Sequence, residues 1–268
     1  MSSPSDPALP SAAAVAPRGP ARRPLAVWLG GRIALDDYWP LAERLAWEVS
    51  EPAGRGPTLL VCELGAGITI GREGSRADVA FSDDELRSRR ITVRFVGRGG
   101  GAVLHAPGQV FAAVFARLDD LGLSRHDVGG HLERFGRALE GTLRQVKCGP
   151  ARVPGLPGVG GRSGLLAAVG VAVRRGVACH GAFVNVCPAL DDFQRVRTVD
   201  PAAAWGPGTM GSIEADVRRK VRLQDVRTAL VQQVVEAYAF PRAHIHAGLP
   251  GTPGTAVHHQ PEAVRRVG

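Results

Sequence analysis

The chain has 268 residues, 44% of them hydrophobic, which suits a single core and gives no reason to expect several domains. No run of eighteen apolar residues occurs, so a transmembrane helix is excluded, and the N-terminus lacks the charged-then-apolar order of a secretory signal. The net charge of +8 comes almost wholly from arginine; four cysteines without a C-x-x-C pair exclude a disulfide scaffold and a structural zinc site, and fit a reducing cytoplasm.

Residues 1–24, dominated by Pro and Ala, read as a flexible lead. AVWLGGRIALDDYWPLAERLAWEV follows as a short strand and an amphipathic helix, with Leu41, Leu45, Ala46 and Val49 at helical spacing and Asp36 and Asp37 as capping candidates. GRGP (54–57) breaks the helix, TLLVCEL (58–64) is a buried strand, and GITIGREG alternates with glycine punctuation. DDELRSR (83–89) is a short helix, and ITVRFVG (91–97), AVLHA and QVFAAVFARL are strands. Residues 127–146 form a helix with Leu132, Phe135, Leu139 and Leu143 on one face. A Gly/Pro-rich loop runs from Gly149 to Gly161, and residues 165–188 carry two strands joined by an RRG turn. Residues 211–240 are helical, and from Pro241 the chain reads as a tail without apolar period. Strands and helices are interleaved with adjacent hairpins rather than a strict βαβ rhythm. This predicts an α+β fold with a mixed, largely antiparallel sheet and flanking helices, one domain over 25–240 and a flexible tail over 241–268.

RGGGAVLHAPGQ (98–109) is the stretch with the strongest chemical character. Three bare glycines beside Arg98 suit either a tight turn or a cradle of backbone N–H groups for an anion. No Gly-Lys-Ser/Thr follows it or GVGGRSG (158–164), so neither is a Walker loop. Cys179 and His180 are neighbours on a predicted strand, so their side chains are expected on opposite faces, which separates a thiol from a base. The histidines of HIH (244–246) and HH (258–259) have no third ligand placed by the sequence, and no metal site is assigned.

RGGGAVLHAPGQ resembles the R-G-G-x-V-x-Y-H-x-P-G-Q signature of lipoyl (octanoyl) transferases. VWLGGRIALDDYWPLAERL and CELGAGITIGREG are similar to the family's first strand-helix and its segment ending in T-x-G-R. LLAAVGVAVRRGVACHGAFVNVCPALDDF resembles K-I-A-x-x-G-[LV]-x-[VI]-R-R-x-[VC]-x-[YF]-H-G-x-A-L-N, and MGSIEADVRRKV the later T-S-[LI] helix entry. The resemblance, over about residues 25–240, implies the lipoate/biotin ligase-like fold and transfer of an octanoyl group from acyl carrier protein to a lysine of a lipoyl domain, without a cofactor. It implies an acyl tunnel floored by Arg98, Gly99, Gly100, Gly101, Ala102, Val103, Leu104 and His105, by Ala168, Val169 and Gly170, and by Gly181, Ala182 and Phe183. Pro107, Gly108, His180 and Asn185 support it.

In that family a cysteine attacks the thioester to form an acyl-enzyme, and a nearby lysine lowers the cysteine's pKa. Here the lysine position, five residues before Gly170, holds Leu165, and the cysteine position, eighteen residues after Gly181, holds Val199. No cysteine stands beyond Cys187, and Lys147 lies too early to replace the missing lysine. The expectation is a pseudoenzyme of protein lipoylation that binds an acyl chain, a lipoyl domain or an acyl carrier. The alternatives are an active acyltransferase using Cys179 or Cys187, and a basic nucleic-acid-binding protein supported by charge alone. A membrane partner is not expected.

Overall fold

The computed structural model describes residues 23–152, 158–198 and 210–251. The strands are β1 (Leu25–Ile33), β2 (Thr58–Leu64), β3 (Gly67–Ile70), β4 (Thr92–Phe95), β5 (Ala102–His105), β6 (Gln109–Arg117), β7 (Gly158–Gly161), β8 (Gly164–Arg174), β9 (Val177–Asn185) and β10 (Ala243–Ala247). The helices are α1 (Leu35–Ser50), α2 (Asp83–Arg89), α3 (Val128–Gln145), α4 (Ile213–Val217) and α5 (Leu223–Ala237). Seven strands form one sheet in the order β10-β1-β2-β6-β9-β8-β7, and β4-β3-β5 form a second, smaller sheet. In the large sheet β10-β1 and β1-β2 are parallel and the other pairings antiparallel, as the interleaved hairpins predict.

Alternation along the central strands sorts the core into two layers. Val110, Ala112, Val114, Ala178, Ala182 and Val184 face α3 and α5, whose Phe135, Leu139, Leu143, Val226, Leu230 and Val234 complete that layer. Phe111, Ala113, Phe115, Cys179 and Phe183 face the other way, toward Tyr38, Ala42, Leu45 and Val49 of α1 and Ile68, Ile70 and Leu104 of the small sheet. Because both faces of β6 and β9 are covered, these strands read as unbroken apolar runs rather than alternating ones.

Local chemistry explains several boundaries. Ser82 and Glu85 form a capping box at the start of α2, their side chains and backbone N–H groups bonding reciprocally at 3.2 and 2.8 Å. Asp127 caps α3 by accepting from Gly130 N at 2.7 Å. Asp36 and Asp37 lie in the first turn of α1 rather than capping it; Ala34 is the cap residue and provides no side-chain bond.

Three expectations are corrected. The helix expected over 211–240 is two helices, because Arg218 adopts the left-handed conformation at φ 53° and Glu214 accepts from Val221 N at 2.9 Å, turning the chain between α4 and α5. The expected loop 149–161 ends in β7, whose hairpin with β8 is held by the buried Asp216 carboxylate accepting from Arg162 N at 3.1 Å and Ser163 N at 2.6 Å. The region after Pro241 is not all tail: β10 extends the large sheet alongside β1, with Trp28 stacked on His246 at 4.5 Å. Its HIH histidines therefore sit on an edge strand, and no cluster of three metal-ligating side chains occurs among the described residues. No helix among them is long and apolar enough to cross a membrane.

Candidate functional site

The RGGG segment lies where the small sheet meets the end of β8. Arg98 is 1% exposed, and its guanidinium donates to Thr69 O at 2.9 Å, Thr69 Oγ1 at 2.8 Å and Gly99 O at 2.9 Å. It also lies 5.6 Å from the Phe183 ring centroid. Burial pulls its pKa down to about 10, so it stays charged at neutral pH.

The glycines make room for this arginine and for backbone. A Cβ on Gly170 would sit 2.7 Å from Arg98 Cδ, and one on Gly71 2.8 Å from Arg98 Nη1. Gly99 N donates to Val171 O at 2.8 Å, Gly100 requires φ 77°, and a Cβ on Gly101 would meet Thr198 O at 2.7 Å. The bare backbone read as a cradle thus lies against the chain's own β8 and Thr198.

Thr69 Oγ1 also lies 2.8 Å from His105 Nε2. The same hydroxyl accepts from Arg98, so one threonine side chain joins the buried guanidinium to the imidazole. From His105 a row of rings crosses the layer. His105 packs on Phe183 at 4.7 Å, Phe183 stacks on Phe111 at 5.0 Å, and Phe111 meets Tyr38 edge-on at 4.9 Å. Tyr38 Oη reaches His180 Nδ1 at 2.9 Å. Side chains in contact therefore join the RGGG block to the C-H-G block, where the resemblance implies a tunnel. Phe183 stands where the motif H-G-x-A carries alanine, so the stacking ring is this chain's own.

The other expected binding residues divide between the layers. Ala102, Val103, Leu104 and Ala168 belong with Phe183, whereas Val169 and Ala182 belong to the opposite layer with α3 and α5. Gly181 pairs with Gly170 between β9 and β8. Gly108, at φ 87°, accepts from Val186 N and Cys187 N, both at 3.0 Å, just after Pro107. Asn185 accepts from Gln109 at 2.8 Å and donates to Gly211 O at 3.0 Å, tying β6, β9 and the entry to α4 together.

Leu165, at the lysine position, is 1% exposed and shares an apolar cluster with Ala168, Phe183 and Met210. Val199 lies outside the described residues. Neither substitute thiol is activated. Burial pushes Cys179 up to about 11, with Arg174 opposing it weakly, and Cys179 Sγ rests on Ala172 O at 3.5 Å. Burial and Glu214 raise Cys187. Lys147 sits at a different place, lining a cavity with Cys148, Arg162 and Asp216.

One expectation about β9 is overturned. His180 has φ 63°, a left-handed conformation inside a strand, and this turns its side chain to the face occupied by Cys179. Both line one groove with Trp39 and Ala42. The residue pattern gave no sign of this twist. Tyr38 was also missed as a site residue, although it lies within the helix recognised from periodicity.

The family profile described as the lipoyl protein ligase A/B catalytic domain matches residues 37–235. The chain belongs to that family. Octanoyltransferases are among its relatives: that of Chloroflexus aurantiacus is 32% identical over 225 residues, covering 81% of this chain and 96% of that protein. That of Geobacter sulfurreducens is 33% identical over 224 residues, covering 82% and 85%. Among solved structures, the bi-partite lipoate protein ligase of Thermoplasma acidophilum superposes with a TM-score of 0.65 at 18% identity, covering 84% of this chain and 87% of that one. A lipoate-protein ligase A bound with ATP gives 0.64 at 19% identity, covering 82% and 87%. The lipoyl protein ligase fold is thus shared, with the mixed α+β architecture expected of it.

Three buried histidines of this family member give its stability a defined acid dependence. Burial holds His105 at about 3, His131 at about 4 and His180 at about 4, with Arg98 acting further on His105, Arg134 on His131, and Arg174 and Arg98 on His180. An unfolded histidine titrates near ~6.5. The unfolded chain therefore takes up protons first as pH falls. The stabilisation is complete above about 6.5 and is lost progressively toward about 4 for His131 and His180 and about 3 for His105. Thermal melts should show a midpoint falling from pH 7 to pH 5, each histidine costing on the order of 1–2 kcal/mol at the lower pH. A flat midpoint across that window would contradict the assignment.

Proposed function

We propose that this member of the lipoyl protein ligase family has lost octanoyl transfer and engages a lipoyl domain or an acyl carrier protein without moving an acyl group. Leu165 carries the reading. At the position where the octanoyltransferase motif places lysine, an apolar side chain is sealed into the same cluster as Phe183 and Met210. A leucine cannot favour a thiolate, and a valine at 199 cannot attack a thioester. The packing of Phe183 between His105 and Phe111 is a second support, because a ring stands where the family motif has alanine on the implied tunnel. The net charge of +8 suits an acidic carrier.

The active-acyltransferase reading needs a reactive thiol, and the raised pKa values of Cys179 and Cys187 oppose it. Charge alone carries the nucleic-acid reading, and arginines such as Arg195, Arg197 and Arg152 are already paired with Glu85, Asp78 and Glu133.

Incubation with octanoyl-acyl carrier protein, followed by intact-mass analysis, should give no octanoyl adduct. Lipoyl domain or carrier protein should nonetheless bind in calorimetry. An adduct on Cys179 or Cys187 with turnover would overturn the reading, and so would failure of both partners to bind.

A further inference from the structure

A groove of about 270 Å³ opens at the Tyr38–His180 end of the ring row, away from Leu165. Trp39 and Ala42 of α1, Phe95 at the end of β4, and Cys179 and His180 of β9 line it. Cys179 stands where the family motif carries Tyr or Phe, so the ring that would take up this space is missing. Phe95, 68% exposed at the mouth, is one of the few large apolar side chains left in solvent.

Among the described residues, the groove carries one cation without a partner. Arg174 lines it, and among the described residues its guanidinium has no hydrogen bond or ion pair. His180 is 6% exposed, and Tyr38 satisfies its Nδ1. The other ring nitrogen, Nε2, is left for the groove. Two further charges border the groove: Arg94, paired with Asp36 at 2.6 Å, and Glu43, exposed on α1.

We propose that this groove binds a small organic carboxylate. Its charged end would meet Arg174 and the edge of the His180 ring, and its apolar body would rest on Trp39, Ala42, Phe95 and Cys179. Arginine suits this task through its fixed fork of donors. The site uses neither Leu165 nor the position of Val199, and it shares only His180 with the tunnel that the resemblance implies.

Titrating the full chain with benzoate, benzyl alcohol and benzamidine tests the proposal by shape-matched charge. In ligand-observed NMR benzoate should bind in the millimolar range or tighter, benzyl alcohol about tenfold more weakly, and benzamidine not at all. Arg174→Gln, a change on an exposed side chain, should weaken benzoate about tenfold, and Cys179→Phe should abolish binding by filling the groove. Should Cys179→Phe fail to fold, the arginine variant and the three-probe series still decide. Absence of benzoate binding at millimolar concentration, equal binding of all three probes, or benzoate binding unchanged by Arg174→Gln would each overturn the proposal.

Discussion

Installing the motif's missing pair, Leu165→Lys with Val199→Cys, is expected to leave the protein unable to form an octanoyl adduct, and adding Phe183→Ala is expected to permit it. The double variant supplies a nucleophile and an ammonium but leaves Phe183 between His105 and Phe111, with ring centroids 4.7 and 5.0 Å away. On the proposed reading the acyl chain lies against Phe183, and rings at contact distance leave it no room there. Removing the ring makes that room. The variants are costly: a buried Phe→Ala change loses about 3–5 kcal/mol. A lysine at a site 1% exposed in wild type must also be desolvated, which lowers its own pKa. The comparison therefore belongs at low temperature, with folding verified by circular dichroism before octanoyl-acyl carrier protein is added. An adduct formed as readily by the double as by the triple variant would show that the rings are no obstacle. A folded but inert triple variant would place the loss elsewhere in the pocket.

Gly181→Ala should be the most destabilising conservative change in β9. Its Cβ would lie 1.8 Å from Ala112 O and 2.9 Å from Ala113 Cα, backbone atoms of the neighbouring central strand that cannot swing aside. Overpacking commonly costs about 1–3 kcal/mol where side chains can yield. With backbone on the receiving side the loss should be on the order of 4 kcal/mol or more, a large share of a typical stability of about 5–15 kcal/mol. For a domain of this size that is a fall of roughly 8–16 °C in melting temperature. Gly31→Ala, where an added Cβ meets nothing within 4 Å, is the matched control. A Gly181→Ala midpoint as close to wild type as the control's would refute the packing argument. It would return Gly181 to the purely ligand-facing role that the family motif implies.

The large features were legible because they rest on local patterns. Apolar periodicity placed α1 and α3, unbroken apolar runs placed β2, β6 and β9, and three ordered motif blocks placed Arg98, His105 and Gly170 in one neighbourhood. What escaped depends on tertiary partners. β10 is five residues with an exposed middle, and only pairing with β1 makes it a strand. The left-handed conformation of His180 leaves no mark in C-H-G, since non-glycine residues seldom adopt it. The ring row was half visible: Phe183 in place of the motif's alanine could be read from the letters. Its stack with Phe111, a residue of another strand some seventy positions earlier, could not. The three glycines after Arg98 illustrate the same limit. The sequence marked a backbone meant for close approach, and the guests are largely the protein's own: Arg98 itself, β8 and Thr198.

The pairing of β1 with β10 also has a temporal side. β1 finds one of its two neighbours, β2, after a single helix, but the other, β10, is the last of the described strands to be made. Until then Leu25–Ile33 presents an unpaired edge with Trp28 uncovered by His246. Such a long-range closure is entropically late and slow. On a ribosome the nascent chain would pass through a long interval in which that edge is open to chaperones and to other copies of itself.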